Sequence, residues 1–148
     1  MNMQTKITRI EREKPELLEI HCHAISDEVR EIVAFVKSRE GKLTGLSGDR
    51  LYEIAVSDVC YIETVDNKTF LYTSDNVYET RQKLYELEEL LKEKHFLQVS
   101  KSTLLNLMKV EAIKPSLNSR FLAELSSGEQ IVISRKYVPN LKKALKGD

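Results

Sequence analysis

The most chemically suggestive part of the sequence is a polar cluster between two apolar stretches, in FLQVSKSTLLNL, residues 96–107. Ser100, Lys101, Ser102 and Thr103 are consecutive, and Asn106 follows closely. A lysine among hydroxyls could activate a serine nucleophile, bind a phosphate, contact DNA, or simply belong to a turn. The remaining sequence has to discriminate among these four interpretations.

Catalysis is disfavoured by the spacing of the cluster. A Ser/Lys hydrolase commonly places its lysine three residues after the serine, as S-x-x-K. Here Lys101 is adjacent to both serines, so in a strand or turn its side chain points away from them. The sequence contains no G-x-S-x-G, and its three histidines, at positions 21, 23 and 95, lie outside the cluster. We therefore expect no catalytic residue and no enzymatic activity.

Phosphate-loop and metal sites are also disfavoured. The pair Lys101-Ser102 lacks the glycines of G-x-x-x-x-G-K-[ST], whose backbone amides surround a phosphate. In 21–23, His-Cys-His, a strand would put two imidazoles on one face, which is a possible zinc or copper pair. No third ligand accompanies them in this stretch, and a polar strand face is the simpler interpretation. We expect no metal and no cofactor.

Basic residues stand beside hydroxyl groups at two further places. One is the segment 134–137, Ser-Arg-Lys-Tyr, and the other is the turn segment 67–69, Asn-Lys-Thr. Lysine and arginine neutralise phosphates, hydroxyls hydrogen-bond phosphate oxygens, and both cations can reach the guanine edge in a major groove. The chemistry of the residues alone leaves two interpretations open: three DNA-contacting loops, or three solvated turns.

The distribution of charge favours a polyanionic partner, although the net charge is zero. Residues 1–96 carry 14 Lys and Arg against 19 Asp and Glu, whereas residues 97–148 carry 9 against 4. The balance therefore changes from −5 in the first part to +5 in the second. Such asymmetry is typical of a chain with one nucleic-acid-facing end.

Length and composition predict a globular cytoplasmic protein of one domain, or of one domain with a small appendage. The chain has 148 residues, of which 41% are hydrophobic and 31% charged. No apolar run approaches the ~20 residues of a membrane helix, and the N-terminus lacks the apolar segment of a signal peptide. Two cysteines, Cys22 and Cys60, do not form the framework of a disulfide-rich protein. We expect no insertion into a membrane.

The first 45 residues predict a strand–strand–helix extension. Residues 6–12 and 17–23 alternate apolar and polar side chains, which is typical of strands. Ser26 is a suitable N-cap for a following helix, and Gly41 is a natural stop. We assign residues 1–45 to this extension, with a role in dimerisation or regulation.

Beyond residue 45 the pattern becomes mainly β, so the whole chain is of the α+β class. Short strand-like runs alternate with turn signals at 48–49, 57–58, 66–68 and 74–76, and a helix is predicted from Leu84 to Glu93. Further strands follow, including a hairpin around 118–119, and the chain ends in a helix near Pro139.

Four motifs in this order resemble the LytTR family of bacterial DNA-binding domains. They are DVCYIETVDNKTFLYT (58–73), YETRQKLYELEELL (78–91), FLQVSKSTLLNL (96–107) and ISRKYVPNLKKAL (133–145). The resemblance covers about residues 46–146, so we assign 46–148 to a LytTR-like domain. It implies an elongated stack of small antiparallel β-sheets whose loops enter successive major grooves of a duplex, without a recognition helix.

The resemblance also implies which residues contact double-stranded DNA. Carried over position by position, they are Lys68, Thr69, Ser100, Lys101, Ser102, Arg135 and Lys136. Tyr137, Asn106 and Phe96 resemble supporting residues. Gln98 departs from the family, in which an arginine is usual at this position.

Further implications of the resemblance concern partners. The short N-terminal part makes the chain similar to stand-alone LytTR regulators without a receiver domain, some of which are restrained by a small membrane protein. We expect a transcriptional regulator that binds repeated half-sites as a homodimer. The alternative is a non-enzymatic protein–protein interaction or ligand-sensing module on the same fold.

Overall fold

The structure is a computed structural model that describes residues 3–146. Three α-helices occur in this range, and each lies where the sequence predicts one. They are α1 (Asp27–Arg39), α2 (Leu84–Leu91) and α3 (Val138–Leu145). Pro139 occupies the first turn of α3, where its missing amide hydrogen costs no helical hydrogen bond. No helix in the described range is long and apolar enough to span a membrane.

The described residues form ten strands, and every pairing between them is antiparallel. The strands are β1 (Lys42–Ser47), β2 (Arg50–Ala55), β3 (Val59–Val65), β4 (Lys68–Thr73), β5 (Val77–Thr80), β6 (Phe96–Ser100), β7 (Thr103–Asn106), β8 (Val110–Pro115), β9 (Phe121–Leu125) and β10 (Gln130–Ile133). Seven strands form one sheet in the order β2-β1-β5-β4-β3-β7-β6, and three form a second in the order β10-β9-β8. The predicted mainly β architecture with antiparallel sheets is therefore confirmed.

Local turn chemistry explains the hairpins. Asp66 and Asn67 have φ of 51° and 64°, the left-handed values that a two-residue hairpin turn requires and that Asp and Asn tolerate. In the second sheet, Asn118 and Ser119 also have positive φ and connect β8 to β9. The predicted turns at 66–68 and 118–119 are confirmed.

The seven-stranded sheet has an apolar layer on each face, because successive residues of a strand point to opposite sides. On β7, Leu104 belongs to the cluster beneath α2, whereas Leu105 belongs to the cluster beneath the second sheet and α3. Both leucines are fully buried. Because the two leucines point to opposite faces, the seven-stranded sheet packs against α2 on one side and against the second sheet and α3 on the other. This packing also positions the loops that extend from both sheets.

Helix α1 begins as predicted. The Ser26 hydroxyl oxygen accepts a hydrogen bond of 3.3 Å from the amide of Val29, which satisfies one of the free donors of the first turn. The helix packs on β1, and Lys37 near its end forms an ion pair of 3.1 Å with Glu53 on β2. The hydrogen bond from Lys37 is the main reason that the pKa of Glu53 lies below its ordinary value.

The predicted N-terminal strands are wrong for the single chain. Residues 6–12 and 17–23 have no strand structure, and apart from half-buried Ile20 every residue from 3 to 25 is exposed. Alternating apolar and polar residues would give a strand one apolar and one polar face. A strand also needs a neighbouring strand to which its backbone groups can hydrogen-bond. Among the described residues, no strand pairs with either of these two segments. The predicted helix of the same extension is correct.

Candidate nucleic-acid interface

The polar cluster of residues 100–103 forms the turn between β6 and β7. Ser100 pairs with Thr103 across the hairpin, which leaves Lys101 and Ser102 as the two turn residues. The Ser100 hydroxyl oxygen accepts a hydrogen bond of 3.3 Å from the Ser102 amide. The Lys101 side chain is exposed, whereas Thr103 is buried and donates a hydrogen bond of 3.2 Å to the Glu63 carboxylate. The turn is thus anchored on its buried side and presents one lysine to solvent.

Gln98 occupies the position at which the sequence departs from the family pattern, and the structure gives it a local role. Its side-chain amide donates to the Lys101 carbonyl oxygen at 3.5 Å, the long limit for such a bond. The glutamine therefore supports the backbone of the turn from the preceding strand.

The second predicted place is the hairpin between β3 and β4. Lys68 is the first residue after the Asp66-Asn67 turn and is exposed. Thr69 pairs with Thr64 on β3 and with Thr80 on β5, and only 3% of it is exposed. Its hydroxyl lies 3.5 Å from that of Thr64. Lys68 can reach a ligand directly, whereas Thr69 mainly supports the base of the turn.

A backbone hydrogen bond joins these two hairpins. The Thr64 amide donates to the Ser102 carbonyl oxygen at 2.9 Å. Because β3 and β7 are neighbours in the sheet, the turn that precedes Lys68 and the turn that holds Lys101 lie side by side at one end of it. Lys68 and Lys101 are more than thirty residues apart in the sequence, and this strand pairing brings their turns next to each other.

The third predicted place joins the same end through a second backbone bond. The Ser134 amide donates to the Val99 carbonyl oxygen at 2.9 Å, and a 3₁₀ turn, Arg135–Tyr137, follows immediately. Arg135 and Lys136 are exposed, and the Lys136 ammonium lies 5.8 Å from the centre of the Tyr137 ring. Tyr137 itself packs on the apolar cluster beneath α3, as expected of a support.

Two shallow concavities flank Lys101 and Arg135, and they contain cations that the sequence did not single out. Lys83, just before α2, lines the first together with Thr69 and Lys101. Arg120, just before β9, lines the second together with Arg135 and Lys136. In the sequence both are ordinary surface cations. Only the order of strands and the β8–β9 connection bring them beside the predicted residues.

The cations at this end of the molecule have no carboxylate partner among residues 3–146. Within residues 3–146, none of the exposed Lys and Arg side chains named above lies within 4.0 Å of an acidic group. Glu88 also lines the first concavity. Unpaired charges are available to neutralise the phosphates of a ligand.

Buried polar contacts hold the loops in place. Asn106 is 2% exposed; its amide nitrogen donates to the Val59 carbonyl oxygen at 2.9 Å and its side-chain oxygen accepts from the Met108 amide at 3.0 Å. Phe96 is buried in the cluster beneath α2. The predicted supporting roles of Asn106 and Phe96 are confirmed.

A long-range side-chain bond links the seven-stranded sheet to the residue before β10 of the second sheet. The Tyr61 hydroxyl donates to the Glu129 carboxylate at 2.7 Å, and the Tyr61 ring stacks on that of Tyr72 with 4.3 Å between their centres. Burial raises the pKa of Tyr61, and the bond to Glu129 raises it further. Glu129 precedes β10, so the bond also helps to position the loop of Arg135.

Residues 3–146 contain no group of three or more histidine, cysteine or acidic side chains that could hold a metal ion. Cys22 is exposed and Cys60 is buried, and burial raises the pKa of the Cys60 thiol.

Comparison with known proteins gives a consistent result. A family model described as the LytTr DNA-binding domain matches residues 49–146. The chain is also similar to a solved LytTr DNA-binding domain from Bacillus cereus, with a TM-score of 0.68 and 28% identity, over 71% of this chain and 96% of that one.

Two curated relatives illustrate the similarity. One, described as an uncharacterized HTH-type transcriptional regulator of Staphylococcus aureus strain MSSA476, is 26% identical over 136 residues, which span 90% of this chain and 92% of that protein. The sensory transduction protein LytT of Bacillus cereus is 30% identical over 93 residues, which are 63% of this chain and 38% of that protein. In the described range of this chain, strands separate the three α-helices, so no two consecutive α-helices form a helix-turn-helix pair.

Proposed function

The chain belongs to the family of LytTr DNA-binding domains, and on this premise we propose that it is a non-enzymatic, cytoplasmic transcriptional regulator that reads specific DNA sequences through three loops. The observation that carries the proposal is the pair of backbone bonds that brings the loops together, from Thr64 to Ser102 and from Ser134 to Val99. Loops held by backbone can present cations at a fixed spacing, which sequence-specific binding requires.

The residues divide into two roles. Lys101, Arg135 and Lys136 supply charge and contacts to base edges, and Lys68 extends the surface on the neighbouring hairpin. Arginine and lysine recognise guanine in the major groove through its two acceptors. Ser100 and Ser102 orient the turn and bond phosphate oxygens, while the buried Thr69 supports the hairpin that carries Lys68.

The protein would act as a homodimer on repeated half-sites, with residues 1–45 as the dimerising or regulatory part and residues 46–148 as the DNA-binding part. The same N-terminal part is where a small membrane protein could restrain it. These assignments follow from the resemblance and from the exposed apolar side chains of residues 3–25.

The alternative is an interaction or ligand-sensing module that keeps the fold without binding DNA. In such a module we would expect the loop cations to be neutralised by nearby carboxylates. The ion pairs found among residues 3–146 involve other cations, which supports the DNA-binding function.

Selection of bound sequences from a random pool of duplex DNA tests the function. We expect enrichment of one motif, present as two half-sites at fixed spacing, and an affinity that falls steeply between about 50 and 200 mM salt. The variant Lys101→Ala, Arg135→Ala, Lys136→Ala should enrich nothing. Lys92→Ala, which removes an exposed lysine near the opposite end of β6, is the matched control. Absence of any enriched motif with the natural chain would reject the proposal.

A further inference from the structure

Helix α1 presents one row of four exposed side chains along its length. Glu28, Ile32, Phe35 and Arg39 follow one another at intervals of four, three and four residues, which places them on one side of the helix. Ile32 is 36% exposed and Phe35 53%, and the two charged residues are exposed as well. These four residues are called the outer row below.

The helix uses a different side to pack on its own chain. Lys37 donates to the Thr44 hydroxyl at 3.5 Å and pairs with Glu53 at 3.1 Å, and Ser38 is only 3% exposed. The apolar clusters of the described residues include neither Ile32 nor Phe35. The apolar part of the outer row therefore contributes nothing to the core of the single chain, and exposed apolar groups of this kind mark interaction surfaces.

The charged ends of the outer row have no ionic partner among residues 3–146. Neither Glu28 nor Arg39 lies within 4.0 Å of an opposite charge in this range. Arg30 on the same helix, in contrast, is paired with Asp27 at 3.4 Å. The outer row is thus an acid, two apolar side chains and a base, all accessible to a partner.

The spacing of the outer row is the same when it is read from either end. A two-fold rotation about an axis between Ile32 and Phe35 therefore sets Ile32 beside the second copy's Phe35, and Glu28 beside the second copy's Arg39. A parallel arrangement would instead set like charges side by side. A two-fold interface requires a surface that is complementary to itself, and the outer row has this property when the two helices are antiparallel.

We propose that two copies of this chain pair through the outer rows of their α1 helices, antiparallel and around a two-fold axis. The contact between Ile32 and Phe35 then occurs twice and removes apolar surface from water. The two Glu28–Arg39 pairs set the direction more than the affinity, because exposed ion pairs contribute little. The inference rests on the proposed function and deepens it, because it names the surface that joins the two copies on paired half-sites.

The length of α1 limits the strength of this interface. Its 13 residues make a helix about 20 Å long, and one pair of such helices buries less than the ~800 Å² per partner of a standard interface. We therefore expect a weak dimer in the free protein. On DNA the dimer becomes firm, because binding of one copy raises the local concentration of the other.

Cross-linking of thiols tests the antiparallel arrangement. All chains carry Cys22→Ser, which removes the exposed cysteine and leaves the buried Cys60. A mixture of Glu28→Cys and Arg39→Cys chains, treated with a short bis-maleimide, should give linked pairs of unlike chains much faster than either chain alone. Met108→Cys, at a residue that is 72% exposed and outside α1, is the control for random collision.

Two outcomes of the cross-linking would overturn the proposal. Faster linking of Glu28→Cys with itself and of Arg39→Cys with itself than in the mixture would mean that the helices pair in parallel. Rates equal to that of Met108→Cys would mean that α1 forms no interface between copies.

Sedimentation equilibrium measures the apolar contact. We expect the natural chain to dimerise reversibly between micromolar and millimolar concentration. Phe35→Asp should raise the dissociation constant on the order of 10-fold or more, because it places a charge in the contact twice. Met108→Asp, the same kind of change outside α1, is the matched control, and circular dichroism checks that both variants are folded. A natural chain that stays monomeric throughout this range, or a Phe35→Asp chain that dimerises as the natural chain does, overturns the proposal.

A charge exchange tests the pairing of the two ends. Glu28→Arg alone and Arg39→Glu alone should each weaken the dimer, because each puts like charges side by side. The two substitutions in one chain should restore it. Two single variants that dimerise like the natural chain, or a double variant that is weaker than both, would show that the two ends do not meet.

DNA binding separates this inference from the function on which it rests. The Phe35→Asp chain should bind a single half-site as the natural chain does, but bind the paired site more weakly, because the second copy no longer gains from contact with the first. Equal loss of affinity at both sites would contradict a separate dimer interface. Failure of the natural chain to bind any DNA would instead reject the proposed function, and the cross-linking and sedimentation results would be unaffected.

Discussion

The Ser134 amide donates a 2.9 Å hydrogen bond to the Val99 carbonyl oxygen, so the loop of Arg135 is bonded to β6 one residue before Ser100. This bond connects the backbone that follows the second sheet directly to an edge strand of the first. The backbone positions of Arg135 and Lys101 therefore stay at a fixed distance from each other, whatever conformations the two side chains adopt. Replacing either cation should therefore remove a contact without moving the loops.

Lys101→Ala should lower the affinity for the selected DNA site by about 1–3 kcal/mol. If the lysine contacts a base, specificity at one position of the site should relax; if it contacts only phosphate, all sequences should be weakened alike. Fluorescence anisotropy with the site and its single-base variants measures both effects. Lys92→Ala is the control, since it removes the same charge from a lysine that is paired with Glu89. Unchanged binding by Lys101→Ala would exclude a direct contact.

Lys83→Ala and Arg120→Ala should each weaken binding to all sequences by a similar factor. The two side chains line the flanks of the interface, where the backbone of a bound duplex would run. Loss of one phosphate contact reduces the slope of log K against log salt by about 0.9. Titrations at several salt concentrations provide that slope, and the control Lys92→Ala should leave it unchanged. An unaltered slope for both variants would place the DNA away from these flanks.

Local signals made much of the fold predictable. Ser26 as a helix cap, the Asp66-Asn67 turn and the helix that begins at Leu84 each depend on neighbouring residues, and each prediction is confirmed. The strand-rich region beyond residue 45 is also confirmed. Caps, turns and helix starts can be predicted from residue types, because they depend on interactions between residues that are close in the sequence.

Long-range placement was not predictable in the same way. The burial of Thr69 results from its position on β4 between β3 and β5, and only the sheet order reveals it. Lys83 and Arg120 escaped notice for the same reason. The error at residues 6–12 and 17–23 has a related cause: alternation specifies faces, whereas a strand also requires backbone hydrogen bonds to a neighbouring strand, and no described strand pairs with these residues.

Asn106→Ala should lower the free energy of unfolding by about 1–3 kcal/mol. The substitution leaves the Val59 carbonyl without its side-chain donor and the Met108 amide without its acceptor, at a site that is almost wholly buried. Urea unfolding followed by circular dichroism measures the change, and Asn140→Ala, on the exposed side of α3, is the control. Equal midpoints for Asn106→Ala and the natural chain would show that neither bond contributes to stability.

Tyr61→Phe should lower the free energy of unfolding by roughly 1 kcal/mol near pH 7, since it removes the bond to Glu129 while water can still reach that carboxylate. The difference should depend on pH in a defined direction. Burial and the bond to Glu129 raise the pKa of Tyr61 in the folded chain, so the fold favours the neutral phenol. The contribution is therefore fully present below the ordinary tyrosine pKa of about 10 and is lost as the pH rises above it.

Unfolding of the natural chain and of Tyr61→Phe between pH 7 and pH 11 tests this sign. The stability difference should be constant up to about pH 9 and then shrink, because only the natural chain must keep the Tyr61 phenol neutral. Tyr72, whose pKa burial also raises, is present in both chains and cancels in the comparison. Tyr85→Phe, at a tyrosine that is 75% exposed, should match the natural chain throughout. A difference that grows above pH 10 would mean that the fold stabilises the phenolate, which a hydrogen bond donated to a carboxylate cannot do.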